Sequence, residues 1–111
     1  MTEVTTPDKD VQDNKIFAIL AYFGILFLIP LFAAKESPFA RFHANQGCIL
    51  FILDIVVYIV ALIITMLVPF LWFIGSLLYL GLFVLMILGI VNAAKGEKKE
   101  LPLVGNFQII K

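Results

Sequence analysis

The sequence predicts an all-α integral membrane protein, a three-transmembrane-helix bundle whose second helix is extended by an interfacial amino-terminal segment. Three observations predict it. Of the 111 residues, 62% are hydrophobic and 14% charged, whereas a soluble domain is about half apolar and about a quarter charged. The chain carries uncharged runs long enough to cross a bilayer, and prolines and charge clusters divide those runs at intervals close to a hydrocarbon thickness. A chain of this length forms one modest core, so the surplus apolar surface requires lipid as its solvent.

Residues 1–15, MTEVTTPDKDVQDNK, are polar and acidic. This is the wrong sign for the basic lead-in of a secretory signal, and the segment is expected as a disordered tail that is not cleaved. Ile16 to Ala34 then runs without a charge for 19 residues, roughly 28 Å of helix against a core of about 30 Å. It is expected as the first span, with a bend at Pro30.

Ser37-Pro38 marks a helix start: a hydroxyl to cap free amides, then a ring pre-set at the first helical position. From Cys48 to Ala94 the only charge is Asp54. One helix of that length would reach roughly 70 Å, so the run folds back. Pro69 removes a donor and pushes Val68 from helical angles, which sets the second span at 48–67 and the third at 70–94, with 37–47 as the interfacial start of the second helix. Trp72 suits a membrane boundary. Residues 95–111 are too short to span as a helix, and either lie against the interface, cap the loop ends or stay disordered. The three-part division is thus tail 1–15, membrane domain 16–94 and cytoplasmic tail 95–111.

With three spans, Lys9 and Lys15 lie on one side, and Lys35, Arg41, Lys95, Lys98, Lys99 and Lys111 on the other. The positive-inside rule makes the second side cytoplasmic, so a multi-pass cell-membrane protein with its amino terminus outside is expected. A formal net charge of zero leaves no field to attract nucleic acid.

Candidate functional residues fall in two groups. The stretch SPFARFHANQG holds the chain's only histidine and only arginine, and Arg41, Phe42, His43, Asn45 and Gln46 form an interaction motif. On a helical wheel His43, Gly47, Asp54, Tyr58 and Thr65 fall within about 60° and are expected to face the other spans. Arg41 and Asn45 lie on the opposite face, toward lipid phosphates. The second group is Asp54 with Tyr58, one turn on. An acid inside the hydrocarbon marks either a proton or cation path, or a protonated carboxyl that glues helices together. In the third helix, Gly75, Tyr79, Leu82, Met86, Gly89 and Ala93 make a packing stripe, as Ala18, Ala21 and Tyr22 do in the first.

No catalytic, cofactor or metal site is expected. One histidine, one cysteine and no nucleophile with a base at useful spacing do not make a catalytic or metal-binding set. The expectation is a non-enzymatic accessory or interaction subunit of a membrane complex, in contact with the lipid bilayer and with other membrane proteins or copies of itself. The alternative is an oligomeric transport or translocation component with Asp54 in the path.

The segments AYFGILFLIPLF, SPFARFHANQG and GIVNAAKGEKKELPLVGNF resemble small bacterial membrane proteins related to the twenty-kilodalton subunit of the chloroplast inner-envelope translocon. The resemblance covers about residues 16–111, and its most specific part is Phe42 to Gln46. It implies, for plastid members, part of a protein-conducting complex with four spans, against three here. It carries over Phe42, His43, Ala44 and Gln46 as a motif.

Overall fold

The computed structural model describes residues 2–107 and 109, with side chains from Lys9 onward. The described chain is all-helical: α1 Thr2–Leu20, α2 Leu28–Ala33, α3 Pro38–Leu67 and α4 Trp72–Ala94, with 3-10 turns at Gly24–Phe27 and Pro69–Leu71. Two helical segments, Pro38–Leu67 and Pro69–Ala94, are long and apolar enough to cross a membrane.

These two form an antiparallel hairpin. α3 ends where Val68 leaves helical angles (φ −136°, ψ 85°) ahead of Pro69, as the steric conflict before a proline demands. At its far end α4 closes in a Schellman motif. Gly96 takes the left-handed φ of 76°; its N–H donates to the Ala93 carbonyl at 3.0 Å, and the Glu97 N–H donates to Asn92 at 2.9 Å.

The first apolar run departs from expectation. It is not one helix from 16 to 34. α1 begins at Thr2, so the polar amino-terminal segment forms its first turns, and it stops at Leu20. Tyr22 and Phe23 donate three residues back, to Ile19 and Leu20, and Gly24 turns with φ 61°. The break therefore falls at 21–24. Pro30 sits in the first turn of α2, where its missing N–H would have had no helical partner, so it forces no bend.

After the break the chain turns back. Asp10 and Asn14 of α1 line a cavity together with Phe32 and Ala33 of α2. Asp10 also contacts Ser37 and Phe39 at the start of α3. The 16–34 run is thus a helical hairpin that packs beside α3 and α4 and returns. The three-span reading put the amino-terminal segment and the 35–47 connection at opposite ends; in the structure they meet.

Most buried side chains gather where this hairpin packs. Ala18 of α1, Ala21 just past its end, and Ala40 and Ala44 of α3 are fully buried, small residues that let the segments approach closely. Tyr22, 1% exposed, lays its ring across Gly89 of α4. A Cβ at position 89 would lie 2.2 Å from Tyr22 Cε1. The hairpin reaches as deep as the Phe27–Phe51 ring contact (5.7 Å). Beyond that level, α3 and α4 present isoleucine, leucine and valine outward, as lipid-facing helices do.

Candidate functional site

The site grows from the start of α3. Ser37 is the helix cap: its Oγ accepts from Ala40 N–H at 2.9 Å and donates to one carboxylate oxygen of Asp10. The other oxygen of Asp10 accepts from Phe39 N–H at 3.0 Å. A serine and an aspartate from another helix thus share the orphan amides of one helix end, where a negative charge is favoured. The Ser37 cap was legible in the sequence; Asp10, 27 residues away, was not.

Two turns on, His43 is enclosed, with no exposed surface. Phe39, Phe42 and Tyr22 meet its ring edge to face, with centroids at 4.8, 5.1 and 5.5 Å. Its Nε2 lies 2.8 Å from the Glu97 carbonyl. A carbonyl only accepts, so Nε2 carries the proton. In the neutral ring Nδ1 then accepts from the Tyr22 hydroxyl at 2.5 Å. Both nitrogens are committed, and the ring ties the 16–34 hairpin to the segment after α4. The sequence placed the 37–47 segment and the 95–111 tail on the same side; the structure joins them through the Glu97 backbone, not through its carboxylate.

Asn45 and Gln46 clamp the carboxyl-terminal segment. Gln46 Nε2 donates to the Gly105 carbonyl at 2.9 Å, and its Oε1 accepts from Leu101 N–H at 2.8 Å. The Leu101 carbonyl accepts from Gly105 N–H at 3.0 Å, so the Gln46 amide completes a closed loop. Asn45 Nδ2 donates to Phe107 at 2.9 Å, and its Oδ1 accepts from Ile109 N–H at 2.7 Å. Inside the loop, Val104 N–H donates to Pro102 at 2.8 Å across Leu103 at φ 74°. This is the strained γ-turn, held in place by its surroundings.

Asn45 therefore corrects the helical-wheel reading. It does not face lipid phosphates; it is buried under the tail, because the tail covers both faces of the α3 shoulder. Arg41 is half-buried and lines a polar cavity of about 490 Å³ with Glu36, Lys98 and Glu100. The Lys98 ammonium stands 5.9 Å over the Phe42 ring.

The expected stripe from His43 to Thr65 is buried only in its first part. His43 and Gly47 face the 16–34 hairpin, but Asp54 is half-buried, and Tyr58 and Thr65 are exposed. The cause is the break at 21–24: no helix continues down to cover them. Asp54 and Tyr58 instead line an open cleft of about 750 Å³ with Tyr22, Ser76 and Tyr79. His43 and Asp54 are eleven residues apart on one helix, about 16 Å, and belong to separate sites. Among the described residues no group of three or more His, Cys, Asp or Glu is placed to hold a metal ion.

Two long apolar helices, a shorter helical hairpin packed beside them and a tail pinned to the helix shoulder define a small all-helical membrane protein. The comparisons agree with that class and narrow it. Over residues 13–108 the chain matches the family described as the magnetosome magnetite crystal formation protein family, and it belongs to that family. It is 33% identical to the UPF0132 membrane protein MJ1443 of Methanocaldococcus jannaschii, over 90% of this chain and 84% of that one. It is 32% identical to the magnetosome protein MamF of Paramagnetospirillum magneticum, over 83% of this chain and 79% of that one. It is 27% identical to MmsF of the same organism, over 94% of both chains. No solved structure matches the chain.

This overturns the resemblance to relatives of the chloroplast translocon subunit. The segments that suggested it, Phe42 to Gln46 included, lie within the 13–108 match to the magnetosome family. The inference of a protein-conducting role falls with it.

Proposed function

We propose that this chain is a non-enzymatic accessory subunit of a membrane assembly, acting through the platform formed by the α3 shoulder and its docked tail. The observation that carries the reading is the clamp. Asn45 and Gln46 make four hydrogen bonds to the tail backbone, so a segment that could have hung free is an ordered surface beside the membrane. The family description and the names MamF and MmsF connect relatives with magnetosomes and magnetite. What carries over to this chain is an organising role in a membrane, with other membrane proteins or its own copies as partners.

In this reading the protein crosses the cell membrane twice, through α3 and α4, and the 16–34 hairpin re-enters without crossing. Re-entrant backbone is tolerated where protein covers it. All eight Lys and Arg lie at or before residue 41 or at or after residue 95. The Pro69 turn carries none, so both described ends face the cytoplasm.

Photo-crosslinking amino acids at Arg41 and Lys98 test the platform in cells. Capture of one defined membrane protein, or of the chain itself, at both positions supports it; scattered products like those from a lipid-facing control at Ile59 count against it.

A second reading draws on the cleft. Asp54, Tyr58, Ser76 and Tyr79 line an opening at membrane depth, and intramembrane acids mark ion paths. Proton or cation flux in liposomes that Asp54→Asn abolishes would establish transport in place of the accessory role.

A further inference from the structure

Two cavities on the outside of the shoulder meet at Phe107. The upper one, about 490 Å³, is bounded by the first turns of α3 and the tail, and brings together Arg41, Lys98, Glu36 and Glu100. The lower one, about 230 Å³, is apolar, formed by Ile49, Ile52 and Leu53 of α3 against Val104, Phe107 and Ile109 of the tail. On α3 the residues Arg41, Asn45, Ile49 and Ile52 stand at i, i+4, i+8 and i+11, one stripe of the helix. The track from charged to apolar covers eleven residues, about 16 Å, close to half of a hydrocarbon core of about 30 Å.

A charged upper chamber that shares Phe107 as a wall with an apolar groove, at the level where α3 passes from its polar turns into its apolar run, has the proportions of a phospholipid. The charges specify which kind. Two cations and two carboxylates line one chamber, so a purely anionic headgroup would meet repulsion from Glu36 and Glu100. A headgroup that carries both phosphate and a primary ammonium pairs with both signs.

We infer that shoulder and tail together bind one zwitterionic glycerophospholipid of the ethanolamine type. Its phosphate lies on Arg41, whose planar guanidinium suits phosphate oxygens, and on Lys98. Its ammonium lies between Glu36 and Glu100, and one acyl chain runs down the groove past Ile49 and Ile52 under Phe107. The tail forms one wall, so the site exists only while Asn45 and Gln46 hold it.

Native mass spectrometry of the full-length protein in mild detergent, titrated with dioleoyl phosphatidylethanolamine or dioleoyl phosphatidylglycerol, tests this. One ethanolamine lipid is expected to be retained roughly tenfold more strongly than the glycerol lipid, the scale of one charge-assisted hydrogen bond. Glu100→Gln, at an exposed position, should shift the preference toward the glycerol lipid. Lys98→Gln should weaken both, and Asn45→Ala should abolish selectivity. Thermal unfolding of each variant separates loss of the site from loss of the fold. Equal retention of the two lipids by the unmodified protein would overturn the proposal. So would an unchanged preference in folded Glu100→Gln together with unchanged retention of both lipids in folded Lys98→Gln, since the bound lipid would then be an unspecific boundary lipid.

Discussion

Asp10, midway along α1, and Ser37, the residue before α3, share a hydrogen bond between carboxylate and hydroxyl. One carboxylate thereby joins the start of the chain to the start of its longest helix. A chain that crossed the membrane between residues 16 and 34 would hold these residues at opposite surfaces.

Side-specific labelling follows directly. Single cysteines at positions 9, 100 and 70, in a Cys48→Ala background, should react in two groups, 9 with 100 and 70 alone, when a membrane-impermeant maleimide is applied to oriented vesicles. Labelling of 9 together with 70 would restore the three-span topology.

The Gln46 clamp predicts local, not global, loosening. Gln46→Ala removes the partners of Leu101 N–H and the Gly105 carbonyl, a cost of about 1–3 kcal/mol for buried groups left unpaired. Amide exchange at Leu101 should accelerate roughly tenfold to a hundredfold. Asn45→Ala should accelerate Ile109 and leave Leu101 protected. Unchanged exchange at Leu101 in the Gln46 variant would mean the tail is held by something else.

Tyr22→Phe keeps the ring over Gly89 and removes only the hydroxyl, leaving Nδ1 of His43 without its partner. The expected loss is about 1–3 kcal/mol in reversible unfolding in detergent. A change within error would show that the bond contributes no net stability.

Gly89→Ala places a methyl 2.2 Å from the Tyr22 ring and should destabilise by about 1–3 kcal/mol through overpacking. Gly81→Ala, which meets nothing within 4 Å, serves as the control and should be near neutral. Combining Gly89→Ala with Tyr22→Ala should cost less than the sum of the two, as neighbours that share one space do.

What was legible in the sequence was local. Ser37-Pro38 announced its helix, and Pro69 its turn, because caps and pre-proline sterics act over a few residues. The two long helices were legible because Asp54 is the only charge between Cys48 and Ala94. The first run was misread because a 19-residue apolar stretch reports that the segment is shielded from water, not which way it travels; the reversal rests on Phe23 and Gly24. Asn45 was misplaced because a helical wheel sees only the helix's own periodicity, and its partners stand 62 and 64 residues further on. The Phe42–Gln46 motif was found, and its bonding was not. Hydrogen bonds to tail backbone leave no side-chain signature at the other end.

The hairpin turn Val68–Leu71 has a bearing on how the molecule is made. Between Asp54 and Lys95 the chain has no charged residue, and the loop joining α3 to α4 is a single 3-10 turn. If this turn leads during insertion, no ionised group has to be ferried through the bilayer, and the two helices can enter together as one closed pair. The ordered polar structure then assembles wholly in the compartment of synthesis, and its last step is the capture of the tail by two adjacent amides.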